Sequence, residues 1–263
     1  MEKERLDVLI ATRGLAESRS QAQRLVMAGQ VRVNGQVVLK SSTQIPKDER
    51  IEIERGPRFV SRGGEKLEAA LLAFGLDNLQ DQVCVDVGAS TGGFTDCLLQ
   101  HGAARVYAVD VGYGLLHWKL RRDPRVISQE RTNARFVSDF PELIQLVTVD
   151  ASFISLRILL PTIRAWFRGG PGQVITLIKP QFEAGREDAA RGEGVIKDKA
   201  IHRQVLLSVL EQAQKMGFGV QGLIRSPLLG PKGNIEFLAH LILPDESAAS
   251  LPSLVGLVEA VLS

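Results

Sequence analysis

The chain is poor in several features that would announce common functions. Its 263 residues hold only two cysteines, Cys84 and Cys97. Neither stands at metal-ligand spacing and each falls in an apolar run, so a zinc module or a disulfide scaffold is excluded and both are expected as buried thiols. Four scattered histidines, His101, His117, His202 and His240, form no motif, and no metal is expected. Aromatic residues make up only 5% of the chain, which argues against a broad base-stacking platform. No apolar run is long enough to cross a bilayer, and Met1-Glu2-Lys3-Glu4-Arg5 begins no signal peptide, so a cytoplasmic location without a membrane partner is expected. The net charge is only +2, so any nucleic-acid footprint has to be local. There is no Gly-Lys-Ser/Thr phosphate loop. What remains is an ordinary balance, 44% hydrophobic and 24% charged, with length for a small module plus one sizeable α/β domain.

The most informative stretch is Val83-Cys84-Val85-Asp86-Val87-Gly88-Ala89-Ser90-Thr91-Gly92-Gly93-Phe94. A short apolar run ends in a carboxylate, a Gly-rich turn follows, and a helical pattern begins. This is the opening unit of a doubly wound α/β domain. A second run, Arg105 to Val109, ends in Asp110, placed to meet the two hydroxyls of a ribose. Ser90 stands where a nicotinamide-dinucleotide loop has its middle glycine. Asp86 before the loop would repel a pyrophosphate but suits a cationic or zwitterionic ligand, such as the methionyl end of S-adenosylmethionine. The plainer alternative is a Gly-rich turn with no ligand.

Composition shifts divide the chain into residues 1–55, a Gly-Pro linker at 56–59, a domain over 60–245 and a C-terminal helix or tail over 246–263. In the first module, a helical pattern opens near Arg5-Leu6 and stops near Gly14. Ser18 or Ser20 caps a second helix that ends at Gly29, and Asn34-Gly35 signals a hairpin in the run 31–39. Ile45-Pro46 reads as a turn and Ile51 to Glu54 as a last strand. The first 40 residues carry seven basic and four acidic side chains. Arg-Leu-Asp-x-Leu, Ser-Arg-Ser-Gln-Ala-Gln-Arg-Leu-Val and Gly-Gln-Val-Arg-Val-Asn-Gly resemble the small RNA-binding fold named after ribosomal small-subunit protein four, the S-four domain. That resemblance implies phosphate contacts from Arg5, Arg13, Ser18, Arg19 and Arg24.

In the second domain, strands are expected at 82–87, 105–110, 125–129, 145–150 and 173–178. Helices are expected at 67–75, 93–101, 113–121, 155–167 and 197–216. Segments 218–225 and 235–243 would add an antiparallel pair. The expected fold class is therefore α/β, a Rossmann-like domain with a seven-stranded mixed sheet behind a small α+β module. Lys66, Asp150, Lys179 and Glu236 stand out as polar residues expected on one face, at strand ends or helix starts.

Ser-Arg-Gly-Gly-Glu-Lys-Leu, Asp-Val-Gly-Ala-Ser-Thr-Gly-Gly-Phe-Thr-Asp, Val-Asp-Val-Gly-Tyr-Gly, Ala-Ser-Phe-Ile-Ser-Leu, Ile-Lys-Pro-Gln-Phe-Glu and Gly-Asn-Ile-Glu-Phe resemble, in order and over nearly the whole chain, the TlyA or hemolysin A family. These are ribosomal RNA 2′-O-methyltransferases with an FtsJ-like catalytic domain. The resemblance implies a catalytic set of Lys66, Asp150, Lys179 and Glu236, with Lys179 as the base for a ribose 2′-hydroxyl. Asp150 and Glu236 would hold Lys179 in place, and Lys66 would stabilise the developing alkoxide. It implies S-adenosylmethionine as cofactor, lined by Gly88, Ser90, Gly92 and Gly93. Asp86 would lie beneath the methionyl group, Asp110 on the ribose and Asn133 at the adenine edge. Ribosomal RNA or a ribosomal subunit is the implied partner, with a cytidine as target. Two other readings stand beside it, a catalytically silent RNA-binding assembly factor and a membrane-active hemolysin. No long amphipathic or apolar segment supports the second of these.

Overall fold

The computed structural model describes residues 2–54, 56–185, 194–243 and 252–263. The chain forms two compact units, Met1–Arg58 and Phe59–Ser263.

In the first unit, β1 (Lys3–Arg5) runs into α1 (Leu6–Thr12), and α2 (Arg19–Met27) follows. Of the two candidate caps, Ser18 is the one used: its Oγ accepts from the Gln21 amide at 3.2 Å, satisfying a helix-end donor. A three-stranded sheet is built from β2 (Val31–Val33), β3 (Gln36–Val37) and β5 (Ile51–Ile53), with β2 central. Asn34 and Gly35 connect β2 to β3, both at positive φ (51° and 81°), as a two-residue hairpin turn demands. Ile45-Pro46 is not a simple turn. Gln44–Pro46 forms β4, antiparallel to β1, and Pro46 is tolerated because the two-stranded ribbon has no further neighbour to bond. Leu6, Leu9, Ile10, Ala22, Val26 and Val31 lie at the centre of this unit's core.

The second unit begins one residue earlier than the linker reading places it. Phe59 is buried, and the Val60 amide donates to Asp96 at 2.9 Å. After α3 (Gly63–Phe74) come β6 (Val83–Val87), α4 (Gly93–Gln100), β7 (Arg105–Val109), α5 (Trp118–Arg121), β8 (Val126–Gln129), β9 (Leu146–Val149), α6 (Leu156–Trp166), β10 (Gly172–Ile178), α7 (Pro180–Glu183), α8 (Lys199–Lys215), β11 (Gly219–Arg225), β12 (Phe237–Leu243) and α9 (Leu254–Leu262). The seven-stranded sheet has the order β11-β12-β10-β9-β6-β7-β8. Five strands are mutually parallel, and β12 is antiparallel to both its neighbours, β10 and β11.

Period-two alternation sends the two halves of each central strand into different cores. Val85 and Val87 of β6, with Tyr107 and Val109 of β7, meet α6, α8 and α9 on one face. Cys84, Val106 and Ala108 meet α3, α4 and α5 on the other. Both thiols are buried, and burial pushes Cys84 up to about 12. The helix expected over 113–121 shrinks to 118–121. The preceding residues form a loop whose Gly112 and Gly114 amides are committed to the carboxylates of Asp110 and Glu130. Helix α9 packs onto α8 through Arg203–Glu259 at 2.6 Å and Lys199 Nζ to the Leu262 carbonyl at 2.6 Å. The remainder of the tail expected at 246–263 lies partly outside the described residues.

Candidate active site

The Gly-rich loop after β6 takes its shape from two contacts. Gly88 is at φ +82°, and a Cβ there would stand 2.7 Å from the Asp150 carbonyl oxygen, so only glycine lets the ends of β6 and β9 come together. Ser90 is at φ +50°, and its amide donates to Asp110 Oδ2 at 2.7 Å, while the Gly112 amide donates to Oδ1 at 2.7 Å. Two backbone donors thus orient the Asp110 carboxylate at the end of β7. A cavity of about 690 Å³ opens here, lined by Gly88, Ser90, Asp110, Asn133, Asp150 and Phe153 among others. Asn133 caps its turn, its Oδ1 accepting from the Arg135 amide at 3.1 Å.

Gly92 and Gly93, expected to line the cofactor, also have packing roles, and Gly93 lies on the lining of a second cavity. A Cβ on Gly92 would meet the Leu120 side chain at 2.2 Å. One on Gly93 would meet Ser61 Oγ at 2.3 Å, the Gly64 amide nitrogen at 2.9 Å and Gly63 Cα at 3.1 Å. Their smallness serves the packing of α4 against α5 and α3. Asp86 is fully buried beneath the loop, accepting from Thr95 Oγ1 at 2.6 Å and Thr148 Oγ1 at 3.2 Å. Burial is the main cause that raises this carboxyl to about 7; the two threonine hydroxyls oppose the rise and the Asp150 charge adds to it.

A second cavity of about 650 Å³ adjoins the first, sharing Gly88, Ser90 and Asp150 with it and lined further by Arg62, Lys66 and Gly230. Asp150 lines both cavities and Lys66 the second alone, and with Lys179 and Glu236 they form two ion pairs. Lys179 Nζ lies 2.6 Å from Asp150 Oδ1, and Lys66 Nζ lies 2.5 Å from Glu236 Oε2. Glu236 therefore holds Lys66, not Lys179 as the sequence suggests. Lys179 follows β10 directly and stays extended, because the next residue, Pro180, disfavours helix at that position and opens α7. Glu236 precedes β12 and does not lie inside it. All but Lys66 and Asp150 of the set are buried.

Sequence reasoning misses four supports. Ser152 Oγ accepts from Lys179 Nζ at 2.8 Å. Gly230 makes room for Glu236, whose Oε1 would lie 2.0 Å from a Cβ there. Buried Asn234 donates to the carbonyls of Gly194 (2.9 Å) and Pro231 (3.0 Å) and accepts from the Ile196 amide (3.0 Å), which fixes the loop in front of Glu236. Phe153, exposed and at φ +64°, stands 4.9 Å from the Phe182 ring. Ser152 and Asn234 lie within recognisable motifs, but only the fold reveals what they touch.

In the first unit, buried Asp7 gathers Arg5 Nε and Nη2, Arg19 Nε and Gln23 Nε2 at 2.7–3.0 Å. The Arg5 guanidinium holds this carboxyl well below the usual carboxylate range. Arg13 donates to the Glu49 and Lys47 carbonyls, and Arg24 to Ser20 Oγ at 3.0 Å. The expected phosphate-binding arginines are thus already oriented by the protein, and Ser18 serves as the cap of α2.

Comparison with known proteins bears on the same architecture. The FtsJ-like methyltransferase family matches residues 59–242 and the S4 domain matches residues 4–51. A Mycobacterium tuberculosis protein named 16S/23S rRNA (cytidine-2′-O)-methyltransferase TlyA is 41% identical, over 98% of this chain and 97% of its own. A Brachyspira hyodysenteriae protein named Hemolysin A is 43% identical, over 91% of this chain and 100% of its own. A solved structure of a putative hemolysin from Streptococcus thermophilus is 45% identical with a TM-score of 0.71, covering 99% of this chain and 96% of its own. Among the described residues no helix is long and apolar enough to cross a membrane. With an S4 domain in front of an FtsJ-like catalytic domain, and these relatives along nearly its whole length, the chain belongs to the TlyA family of FtsJ-like methyltransferases.

Proposed function

We propose that the protein transfers a methyl group from S-adenosylmethionine to the ribose 2′-hydroxyl of a cytidine in ribosomal RNA, and that the first unit docks on that RNA. One observation carries the reading: Asp150, which lines both cavities, is ion-paired with the buried Lys179. The first cavity suits a nucleoside-bearing cofactor. Asp110 is presented by two amides, Asn133 lies on the lining, and Gly88 permits close approach. When bound there, S-adenosylmethionine supplies an electrophilic methyl group.

The residues then divide the work. Lys179, once deprotonated, accepts the hydroxyl proton at Nζ. Asp150 and Ser152 hold that nitrogen from two sides. Lys66, anchored by Glu236, offers a fixed cation to the negative charge that develops on the ribose oxygen. Phe153, exposed and beside Phe182, offers a face on which a base can stack. Holding the two reacting atoms in line supplies much of the acceleration.

The test is transfer of labelled methyl to purified small and large ribosomal subunits from cells lacking the protein. Label is expected in RNA, with one nucleotide becoming resistant to alkaline cleavage. Absence of label from both subunits, with cofactor binding intact, would overturn the reading in favour of a silent RNA-binding protein.

A further inference from the structure

The loops that follow β7 and β8 carry a surface that the catalytic reading does not use. Residues 112–136 hold six cations (Lys119, Arg121, Arg122, Arg125, Arg131 and Arg135) and two carboxylates (Asp123 and Glu130). That surplus of four is twice the net charge of the whole chain. Three of the cations are spent within the protein: Arg121 on Glu130, Arg125 on Asp123 and Lys119 on Asp96. Arg122, Arg131 and Arg135 ion-pair with no carboxylate among the described residues. Each lies instead over an aromatic ring: Arg131 is 4.2 Å from the centre of Tyr113, Arg122 is 5.5 Å from Trp118 and Arg135 is 5.5 Å from Phe136.

These three rings are 67%, 63% and 79% exposed. A chain with only 5% aromatics therefore places three of them in water within one 25-residue stretch. Arg131 takes a left-handed backbone, φ +53°, and its amide donates to the Gly112 carbonyl at 2.9 Å. That bond ties the loop carrying Tyr113 to the turn carrying Arg131, and the strain is borne where the guanidinium meets the ring. Val111, Leu115, Asn133 and Arg135, which flank these rings in sequence, line the cofactor cavity.

We propose that this aromatic–guanidinium surface binds unpaired nucleotides of the RNA substrate, in addition to whatever the first unit holds. The proposal rests on the methyltransferase reading and specifies how its substrate is gripped. Flat rings backed by unpaired guanidinium groups suit this partner, because bases stack on the rings while the cations meet the phosphates between them. A carboxylate-rich protein surface would be met by the cations alone and would leave the rings unexplained. Duplex RNA presents no splayed bases to stack.

The fold supplies its own reporter. The chain has two tryptophans; Trp118 is on this surface, whereas Trp166 is fully buried. The experiment titrates the full-length protein with a 12-nucleotide single-stranded oligoribonucleotide and with the same sequence as a duplex. It follows tryptophan emission in each titration and fluorescence anisotropy of a labelled copy of the RNA. The single strand is expected to quench the exposed tryptophan in the wild type and not in Trp118→Phe, whose Trp166 emission reports an intact fold. Tyr113→Ala with Trp118→Ala is expected to weaken single-strand affinity at least tenfold while cofactor binding is unchanged.

Wild-type affinity in that double variant would overturn the proposal. So would single-strand binding without quenching, absence of binding, or equal quenching by the duplex. Quenching by whole ribosomal subunits but not by protein-free ribosomal RNA would overturn it in favour of a ribosomal-protein partner. Methyl transfer measured on the same preparation separates the two readings. Transfer without quenching removes this surface and leaves the enzyme; quenching without transfer removes the enzyme and leaves an RNA-binding surface.

Discussion

Lys66 and Glu236 are 170 positions apart, yet their charged atoms meet at 2.5 Å, with the Glu236 side chain fully buried. Removing one partner strands the other charge away from water, a loss of about 3–5 kcal/mol for buried pairs, whereas removing both avoids that penalty. Glu236→Ala is therefore expected to lower the melting temperature more than the double variant Lys66→Ala/Glu236→Ala does. Both variants should lose methyl transfer. Equal melting temperatures would show that the pair is not coupled. The second residue-scale case is Asp86, which is raised to about 7 from a usual value near 4 by burial. Between those two pH values the folded state keeps a proton that the unfolded chain has released. Stability from this group is therefore greatest at low pH, falls as pH rises towards about 7 and stays reduced above it. The slope is at most about 1.4 kcal/mol per pH unit. Asp86→Asn should gain on the wild type between pH 5 and pH 8 in urea unfolding, by up to about 3 kcal/mol. A constant difference across that range would exclude a raised carboxyl.

At the scale of elements, the approach of α3 to α4 depends on glycines facing each other. A methyl group on Gly93 meets the backbone of Gly63 and Gly64, which cannot rotate away as a side chain could. Gly93→Ala is expected to cost about 1–3 kcal/mol by overpacking, seen as a lower urea midpoint with an unchanged slope. An unaltered midpoint would show that the two helices shift apart freely. The same elements explain what the sequence reveals and what it conceals. Parallel strands buried on both faces read as continuous apolar runs, so β6, β7, β9 and β10 are legible to within a residue or two. The β1–β4 ribbon is not, because three-residue strands carry no period and Pro46 signals a turn. Helix α5 is overextended for another reason: Gly112 and Gly114 interrupt an apolar pattern that Leu115, Leu116 and Leu120 otherwise continue. The types of the four polar site residues are legible in sequence, but their pairing is not. Strand order sets β10 between β9 and β12 and so brings Lys179 near both carboxylates; that Glu236 goes to Lys66 depends on where helix α3 lies, which no local pattern encodes. The packing role of Gly93 is hidden likewise, since a glycine needed for helix approach looks the same as one needed for a ligand.

Across the whole molecule, positive charge is neither abundant nor evenly spread. It is held in arginines that the protein orients itself, through Asp7 in the first unit and through aromatic rings around residues 113–136 in the second. Each unit has its own core, and each holds a group of arginines proposed to meet RNA. Within the second unit, the two cavities have Asp150 in common. On the proposed reading, the methyl donor and the nucleotide would both rest on that carboxylate and would not bind as strangers. By thermodynamic reciprocity, whatever factor the bound nucleotide applies to the affinity for the methyl donor, the methyl donor returns in equal measure to the nucleotide. Loss of the donated methyl would then alter the occupant of one cavity and reset the grip of the other, so that the shared wall would link turnover to substrate release.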